Sequence, residues 1–312
     1  MLTDLITDPR AWDSASLDDR RQWYFSIPAD LLAALDRTVQ ELSPFLTRVT
    51  SLGVEDFPCG SMGASVQPAR EALESGRGFV ILDGIPSGRY SSEEMRALYW
   101  LLGQFLGRPM AQNVEGTLLY DVRDTGQDLA QGARFSVTSY ESSFHTDNSF
   151  GESVLDTVGL LCLQAARSGG LSQVVSGYAV HNRLRRDHSD ILPILYQPFH
   201  VERRGGFRPG DSPTIAMPIF QWDGKDLTIR YLRYWIQCGH EKAGKPLTPV
   251  QIKALDVLDS VLGQRDLMAE FMLEPGQMFF INNRCMFHNR TAFDDWPQVE
   301  RRRHYLRLWL QR

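Results

Sequence analysis

The sequence predicts a mainly β protein: a β-sandwich or barrel core flanked by helices. Two observations predict it. The last two thirds of the chain carry many short β-branched and aromatic runs bounded by Gly, Pro, Asn and Asp. Helical stretches interleave with these runs without regular strand–helix–strand alternation, and no G-x-G-x-x-G fingerprint supports a doubly wound parallel sheet.

Residues 1–52 read as mostly helical. Pro28 opens an amphipathic run in which Leu31, Leu32, Leu35, Val39, Leu42 and Leu46 fall near helical spacing. The turn-rich stretch 53–66 reads as a loop, followed by a short helix over 67–75. Phe79–Leu82 is a compact strand ended by Asp83-Gly84. Ser91 or Ser92 with Glu93 and Glu94 caps a helix running to about Leu106.

Strands dominate from there. Thr117–Arg123 is one, followed by a polar Gly/Ser/Gln-rich segment over 124–143 that leads directly onto a strand carrying His145. Its place beside that histidine suits a lid or a substrate-contacting segment, and any single residue in it equally suits a plain surface loop. Thr157–Leu163 and Gln173–Ser176 read as two strands joined by a tight Gly169-Gly170 turn. Helices follow over 177–187 and 189–196, and strands over 199–204, 214–221 and 227–232. Gly205–Pro213 is a second candidate mobile loop. Thr248-Pro249 opens a helix to about Leu262, with Pro at the first helical position. The last strands are 269–273, 278–281, 286–288 and 303–310. The expected organisation is a helical extension over 1–66 packed on a unit spanning 67–312.

At 312 residues, with 43% hydrophobic and 11% aromatic content, the chain can bury a substantial core. Its net charge of −5 gives no reason to expect nucleic acid as a partner. Cys59, Cys162, Cys238 and Cys285 form no C-x-x-C pair and read as buried thiols rather than a disulfide framework. No signal peptide and no membrane span are expected, and the default is a cytoplasmic protein of undetermined oligomeric state.

The chemistry centres on Phe144-His145-Thr146-Asp147-Asn148. On a strand, the two-residue spacing puts His145 and Asp147 on one face. His288, at the end of the apolar run Met278–Ile281 … Cys285–His288, completes a set of two imidazoles and one carboxylate. Such a set leaves the opposite positions of a metal open, as a non-haem Fe(II) oxygenase requires for oxygen and a cosubstrate. A structural zinc site would want four protein ligands, usually including cysteine. The other histidines, His181, His188, His200, His240 and His304, lack comparable context and read as structural or solvent-exposed.

The C-terminal strand supports the set. Alternation puts Arg303, Tyr305, Arg307 and Trp309 on one face and His304, Leu306, Leu308 and Leu310 on the other. Both faces carry large apolar groups, so the strand reads as buried on both sides. Buried guanidinium groups are costly without an anion, and arginine's planar fork matches a carboxylate.

These motifs resemble a known family. Phe144-His-Thr-Asp147, the Gly169-Gly170-x-Ser172 turn, the Asn283 … His288-Asn-Arg290-Thr-x-Phe293-x-Asp295 segment and Arg303-His-x-Leu-Arg307-Leu-Trp-Leu are similar to the taurine dioxygenase and clavaminate synthase-like group. These are Fe(II)- and 2-oxoglutarate-dependent oxygenases, and the resemblance covers roughly 78–312. It implies a double-stranded β-helix, or jelly roll, with flanking helices. It implies His145, Asp147 and His288 as iron ligands, and Arg303, fifteen residues after His288, as the partner of the distal carboxylate of 2-oxoglutarate. Ser172, 27 residues after His145, stands where the family usually has a threonine donating to that carboxylate. Arg307 corresponds to an arginine that touches substrate or cosubstrate.

The implied reaction consumes O2 and 2-oxoglutarate, releases succinate and CO2, and hydroxylates, desaturates or cyclises a small molecule, such as an amino acid derivative or specialised metabolite. The halogenating relatives lack the carboxylate, so Asp147 argues for oxygenation. Candidates to line the substrate pocket, from closeness in sequence to the ligands, are Tyr140, Phe144, Asn148, Asn283, Arg284 and Arg307. Arg134 reads as a solvated side chain. Two other readings compete. A zinc hydrolase on the same three ligands leaves Arg303 and Arg307 without a purpose. A non-catalytic binding protein leaves the intact ligand set without one.

Overall fold

A computed structural model describes residues 1–56, 62–86, 88–127, 135–203 and 210–312. Cys59, Arg134 and most of the Gly205–Pro213 segment lie outside the described residues. In chain order the first elements are β1 (Tyr24–Ser26), α1 (Ala29–Leu42), α2 (Met62–Glu74), β2 (Phe79–Asp83) and α3 (Ser92–Gln104). Then come β3 (Arg108–Pro109), β4 (Leu119–Val122), β5 (Thr157–Gln164), β6 (Ser168–Gly169) and β7 (Ser172–Ser176). The middle holds α4 (Gly177–Asp187), α5 (Leu192–Leu195), β8 (Phe199–Glu202), β9 (Thr214–Met217), β10 (Phe220–Trp222), β11 (Leu227–Ile229), α6 (Arg233–Lys242) and α7 (Pro249–Leu262). The chain closes with β12 (Met268–Phe271), β13 (Met278–Asn282), β14 (Met286–Arg290), β15 (Phe293–Asp294) and β16 (His304–Gln311).

The largest sheet has seven strands, ordered β1-β2-β13-β5-β16-β3, with β4 also pairing β16. Its central strands are buried on both faces, and alternation sorts their side chains. Val80, Leu82, Met278, Phe280, Leu306, Leu308 and Leu310 join the core formed with α1, α2 and α3. Phe79, Ile81, Phe279, Ile281 and Tyr305 point the other way. They join a core with Val174 and Val175 of β7, Phe287 of β14 and the apolar faces of α4, α5 and α7. A three-stranded sheet, β12-β7-β14, thus lies across that second core from the seven-stranded one.

The helices have local causes. Ser91 and Glu94 form a reciprocal capping box at the start of α3, and Thr248 and Gln251 do the same for α7, with Pro249 in its first turn. In α1, Leu31, Leu35, Val39 and Leu42 are buried, as their spacing predicts.

Several expectations need correction. The loop expected over 53–66 gives way at Met62, where α2 begins and runs through Pro68. Met62, Val66, Ala69 and Leu73 bury one helical stripe, and that packing overrides the Gly and Pro signals. The Gly169-Gly170 turn does take left-handed conformations, with φ of 69° and 72°. The strands on either side of it are not hairpin partners, however. β5 pairs β13 and β16, while β7 pairs β12 and β14, so the turn carries the chain from one sheet to the other. Helix α6 was not anticipated at all. Its buried residues are few, Ile236, Gly239 and His240, so its periodicity is faint. Among the described residues no helix is long and apolar enough to cross a membrane.

Candidate active site

His145 does not sit in a strand. It makes an isolated antiparallel bridge to His288, with His145 N donating to His288 O and His288 N to His145 O, both at 3.0 Å. Asp147 already belongs to the following turn. The two-residue spacing therefore works by another route than a shared strand face. Ser143 and Asn148, which flank the pair, are the non-glycine residues with positive φ among the described residues, at 55° and 53°. A left-handed residue thus flanks the pair on each side. Left-handed conformations of this kind cost energy and concentrate at functional sites.

His145, Asp147 and His288 each offer one ligand atom, and these atoms lie within 4.8 Å of one another. Nε2 of His145 is 3.5 Å from Asp147 Oδ1, and Nε2 of His288 is 4.0 Å from it. Nδ1 of His145 donates to the Ser143 carbonyl at 2.9 Å, which leaves Nε2 free to accept or ligate. Burial, together with the neighbouring His145, pushes the His288 imidazole down to about 3, so it is neutral near pH 7.

Asp147 is fixed from several sides. Trp309 Nε1 donates to its Oδ2 at 2.8 Å, and Arg307 Nη1 lies 3.2 Å from the same oxygen. Asn283 clamps its backbone, accepting from Asp147 N at 2.8 Å and donating to Asp147 O at 3.0 Å. Burial alone would raise the Asp147 carboxyl. The charge of Arg307 overcomes it and holds the group well below the usual carboxylate range.

Two cavities meet at this cluster. The inner one is walled by residues of both sheets, among them Val158, Leu160, Ser172, Phe279, Arg290 and Arg303, with all three of the cluster. The outer one is walled by Gln112, Thr146, Asn148, Ser149, Phe150, Leu232, Trp235 and Trp309, with His145 and Asp147. Phe135, Ser136, Ser142 and Arg307 border both.

The inner cavity is cationic and unsatisfied. Arg303 is 3% exposed, yet its Nε and Nη1 have no hydrogen-bond partner, and Nε of Arg290 has none either. Arg303 instead lies over aromatic faces, 3.8 Å from the Tyr305 centroid and 5.2 Å from that of Phe293. Burial, and then the charge of Arg303, pulls Arg290 down to about 9. Buried donors without partners cost about 1–3 kcal/mol each, more when charged. Arg307 is different, since Gln112 Oε1 accepts from its Nε at 2.8 Å and Asp147 takes its Nη1.

The sequence-based substrate candidates divide. Asn148 and Arg307 line the outer cavity. Tyr140 is 54% exposed, and Phe144 packs on the core between the sheets. Asn283 holds the Asp147 backbone, and Arg284 donates to Asp156 Oδ1 at 2.9 Å. None of these four lines either cavity. Gln112, Ser142, Phe150, Arg290, Trp235 and Trp309 do, and sequence reasoning gave them no role. Arg290 stood inside a quoted motif. Trp235 lies on the helix the periodicity did not reveal.

The profile of the family described as "Taurine catabolism dioxygenase TauD, TfdA family" matches residues 40–309. That match begins within α1, well ahead of the motifs read from the sequence. FR-33289 synthase of Streptomyces rubellomurinus is 27% identical over 310 residues, covering 98% of this chain and 90% of the relative. Taurine hydroxylase-like protein SAT17 of Stachybotrys chartarum is 24% identical, covering 95% of this chain and 80% of the relative. Among solved structures, an asparagine oxygenase in complex with Fe(II), 2S,3S-3-hydroxyasparagine and succinate superimposes with a TM-score of 0.66 at 20% identity, over 92% of this chain and 93% of that one.

Proposed function

The chain belongs to the TauD, TfdA family of dioxygenases, and we propose that it is an iron(II)- and 2-oxoglutarate-dependent oxygenase of a small molecule. On this reading the two facing sheets are a double-stranded β-helix, and residues 1–66 are a helical extension on a single oxygenase unit. We place it in the cytoplasm, a location that suits its unpaired cysteines Cys162, Cys238 and Cys285.

The residues present fit the groups this function needs. Two imidazoles and one carboxylate, with no thiolate, suit Fe(II) and leave open positions on it. The unpartnered donors of Arg303 in the cavity beside them suit a carboxylate, which a guanidinium binds in its plane. The observation that carries the proposal is this pairing: a buried, unsatisfied guanidinium in the same cavity as the His/Asp/His cluster.

Bound there, iron with 2-oxoglutarate and O2 would supply an oxidant able to add one oxygen atom to the substrate or remove two hydrogens from it, with succinate and CO2 as coproducts. The protein's own contribution is placement. Arg303 anchors the distal carboxylate, and Ser172 donates its hydroxyl beside it. Trp309 and Arg307 hold Oδ2 of Asp147, so Oδ1 would be the oxygen left to hold the metal. Ser143 fixes the tautomer of His145. Arg307, bound to Asp147 and Gln112, acts first as a positioning residue. In the outer cavity, Phe150, Trp235 and Trp309 exclude water from the substrate, and the buried Ser149 hydroxyl, which has no partner, is free to bond it. An amino acid derivative or specialised metabolite suits such a mixed aromatic and neutral-polar wall.

The test is succinate production from 2-oxoglutarate with Fe(II) in air, measured with and without candidate substrates. Wild type is expected to form succinate, and His288→Ala to form none above the protein-free background. Succinate formation that is indifferent to iron chelation or to His288→Ala would sink the proposal.

A further inference from the structure

Arg290 lines the inner cavity and also holds part of the wall that the two cavities share. Its Nε is buried and has no hydrogen-bond partner, and its side chain lines the inner cavity beside Arg303 and Ser172. Its Nη1 donates to the Thr138 carbonyl at 2.9 Å, and its Nη2 donates to the carbonyl of Tyr140. The backbone makes the same connection. Arg290 N donates to Ser142 Oγ at 3.0 Å, and Ser142 N donates to Arg290 O at 3.1 Å. One residue is thus bonded to three positions of the segment 135–142, whose Phe135, Ser136 and Ser142 border the inner and the outer cavity alike.

We propose that Arg290 is a positioning residue that couples cosubstrate to substrate: a carboxylate in the inner cavity engages its Nε, and the same planar guanidinium then locks segment 135–142 as the wall of the outer cavity. The inference rests on the reading of the inner cavity as the 2-oxoglutarate site. The fork is rigid. The five N–H groups of a guanidinium share one plane, so fixing Nε against an anion fixes the directions of Nη1 and Nη2 toward their two carbonyls. Without an anion, Nε is an unsatisfied buried donor, and the fork keeps a reason to rotate away from the wall. A purely structural strap would need the two carbonyl contacts but would not leave a third donor buried and unpartnered on a cavity-lining residue. The consequence is an order of events: the outer cavity takes its binding shape after 2-oxoglutarate is in place.

The experiment is hydrogen exchange on the Fe(II)-loaded protein under nitrogen, with and without saturating 2-oxoglutarate, in wild type, Arg290→Lys and Arg290→Met. In wild type, 2-oxoglutarate is expected to slow exchange of the amides of 135–142. Arg290→Met should bind 2-oxoglutarate about tenfold or more weakly, as expected for losing a charged hydrogen bond. At saturation it should show no slowing in that segment. Arg290→Lys keeps the charge but cannot reach an anion and two carbonyls at once. It should recover affinity without recovering protection, and it keeps the comparison available should the methionine variant not fold. Air-exposed turnover supplies a second readout: both variants should form more succinate per product than wild type. Equal protection of 135–142 by 2-oxoglutarate in all three proteins would overturn the proposal. So would its absence from wild type while 2-oxoglutarate demonstrably binds. If 2-oxoglutarate does not bind wild type at all, the underlying assignment of the inner cavity falls as well.

Discussion

The inner and outer cavities share a floor but are built from different parts of the fold. The inner cavity is walled by strands: Val158 and Leu160 of β5, Ser172 of β7, Phe279 of β13, His288, Asn289 and Arg290 of β14, and Arg303 at the entry to β16. The outer cavity is walled mainly by the turn 146–150, by Leu232 and Trp235 at the start of α6 and by Gln112, with Arg307 and Trp309 of β16 as its strand contribution, while Phe135, Ser136 and Ser142 border both cavities. The difference in construction matches a difference in chemistry. Strands locked in two sheets hold charged groups at fixed positions, as recognition of one unchanging cosubstrate requires. Turns and a helix end carry Asn148, Ser149, Phe150 and Trp235, groups that can vary while the sheets stay put. The unsatisfied guanidinium is on the strand side, and the unsatisfied hydroxyl, Ser149, is on the turn side.

The comparison can be broken most directly at Arg303. Removing a guanidinium that pairs with a buried carboxylate typically costs 2–5 kcal/mol, so Arg303→Met should raise the 2-oxoglutarate concentration for half-maximal succinate formation by about 100-fold. Iron affinity should change little. An unchanged 2-oxoglutarate dependence would show that the inner cavity does not read that carboxylate. A smaller effect is expected at Trp309, which reaches Asp147 from the outer side. Trp309→Phe keeps the ring and removes the donor. Losing one hydrogen bond to a metal ligand should weaken Fe(II) binding about tenfold, measured by competition with a chelator, while 2-oxoglutarate dependence at saturating iron stays close to wild type. A loss of 2-oxoglutarate affinity instead would mean that the two cavities are not separable in this way.

The smallest effect lies outside both cavities. His181 of α4 is fully buried, its Nε2 bonds the Tyr196 hydroxyl at 2.8 Å, and burial pushes its pKa from 6.5 down to about 4. In this case the unfolded chain takes up the proton first. The contribution of neutral His181 to stability is complete above pH 6.5 and is lost as pH falls toward about 4. His181→Phe should therefore flatten the decline in melting temperature between pH 7 and pH 5, which thermal scans would register. An unchanged decline would assign the acid sensitivity to other groups.

How much of this was legible in the sequence follows the same division. The strand-built side could be read, because Met278–Ile281 and Arg303–Leu310 carry plain alternation and because His145, Asp147, His288 and Arg303 carry chemistry that apolar strands do not need. The elements α1, α3 and α7 announced themselves by caps and spacing. What stayed hidden depends on contacts far apart in the chain. Arg307 is satisfied by Gln112 and Asp147, and Trp309 by Asp147, pairings that no local pattern encodes. Periodicity could not say that the Gly169-Gly170 turn switches sheets, since both strands alternate alike. The reasoning that placed His145 and Asp147 on one strand face reached the right neighbours by the wrong geometry. An isolated bridge and a turn, flanked by two left-handed residues, carry those side chains where a strand was expected. Helix α6, and with it Trp235, was lost to a weak apolar stripe.

The central claim is that the His145, Asp147 and His288 cluster and the cavity of Arg303 form one binding unit for iron and 2-oxoglutarate. The most direct measurement is an anaerobic titration of 2-oxoglutarate into the Fe(II)-loaded protein, followed by visible absorption. A weak charge-transfer band that grows to saturation in wild type, and that requires far more 2-oxoglutarate in Arg303→Met, is the predicted result. A spectrum that stays featureless in wild type at saturating iron and 2-oxoglutarate would contradict the account.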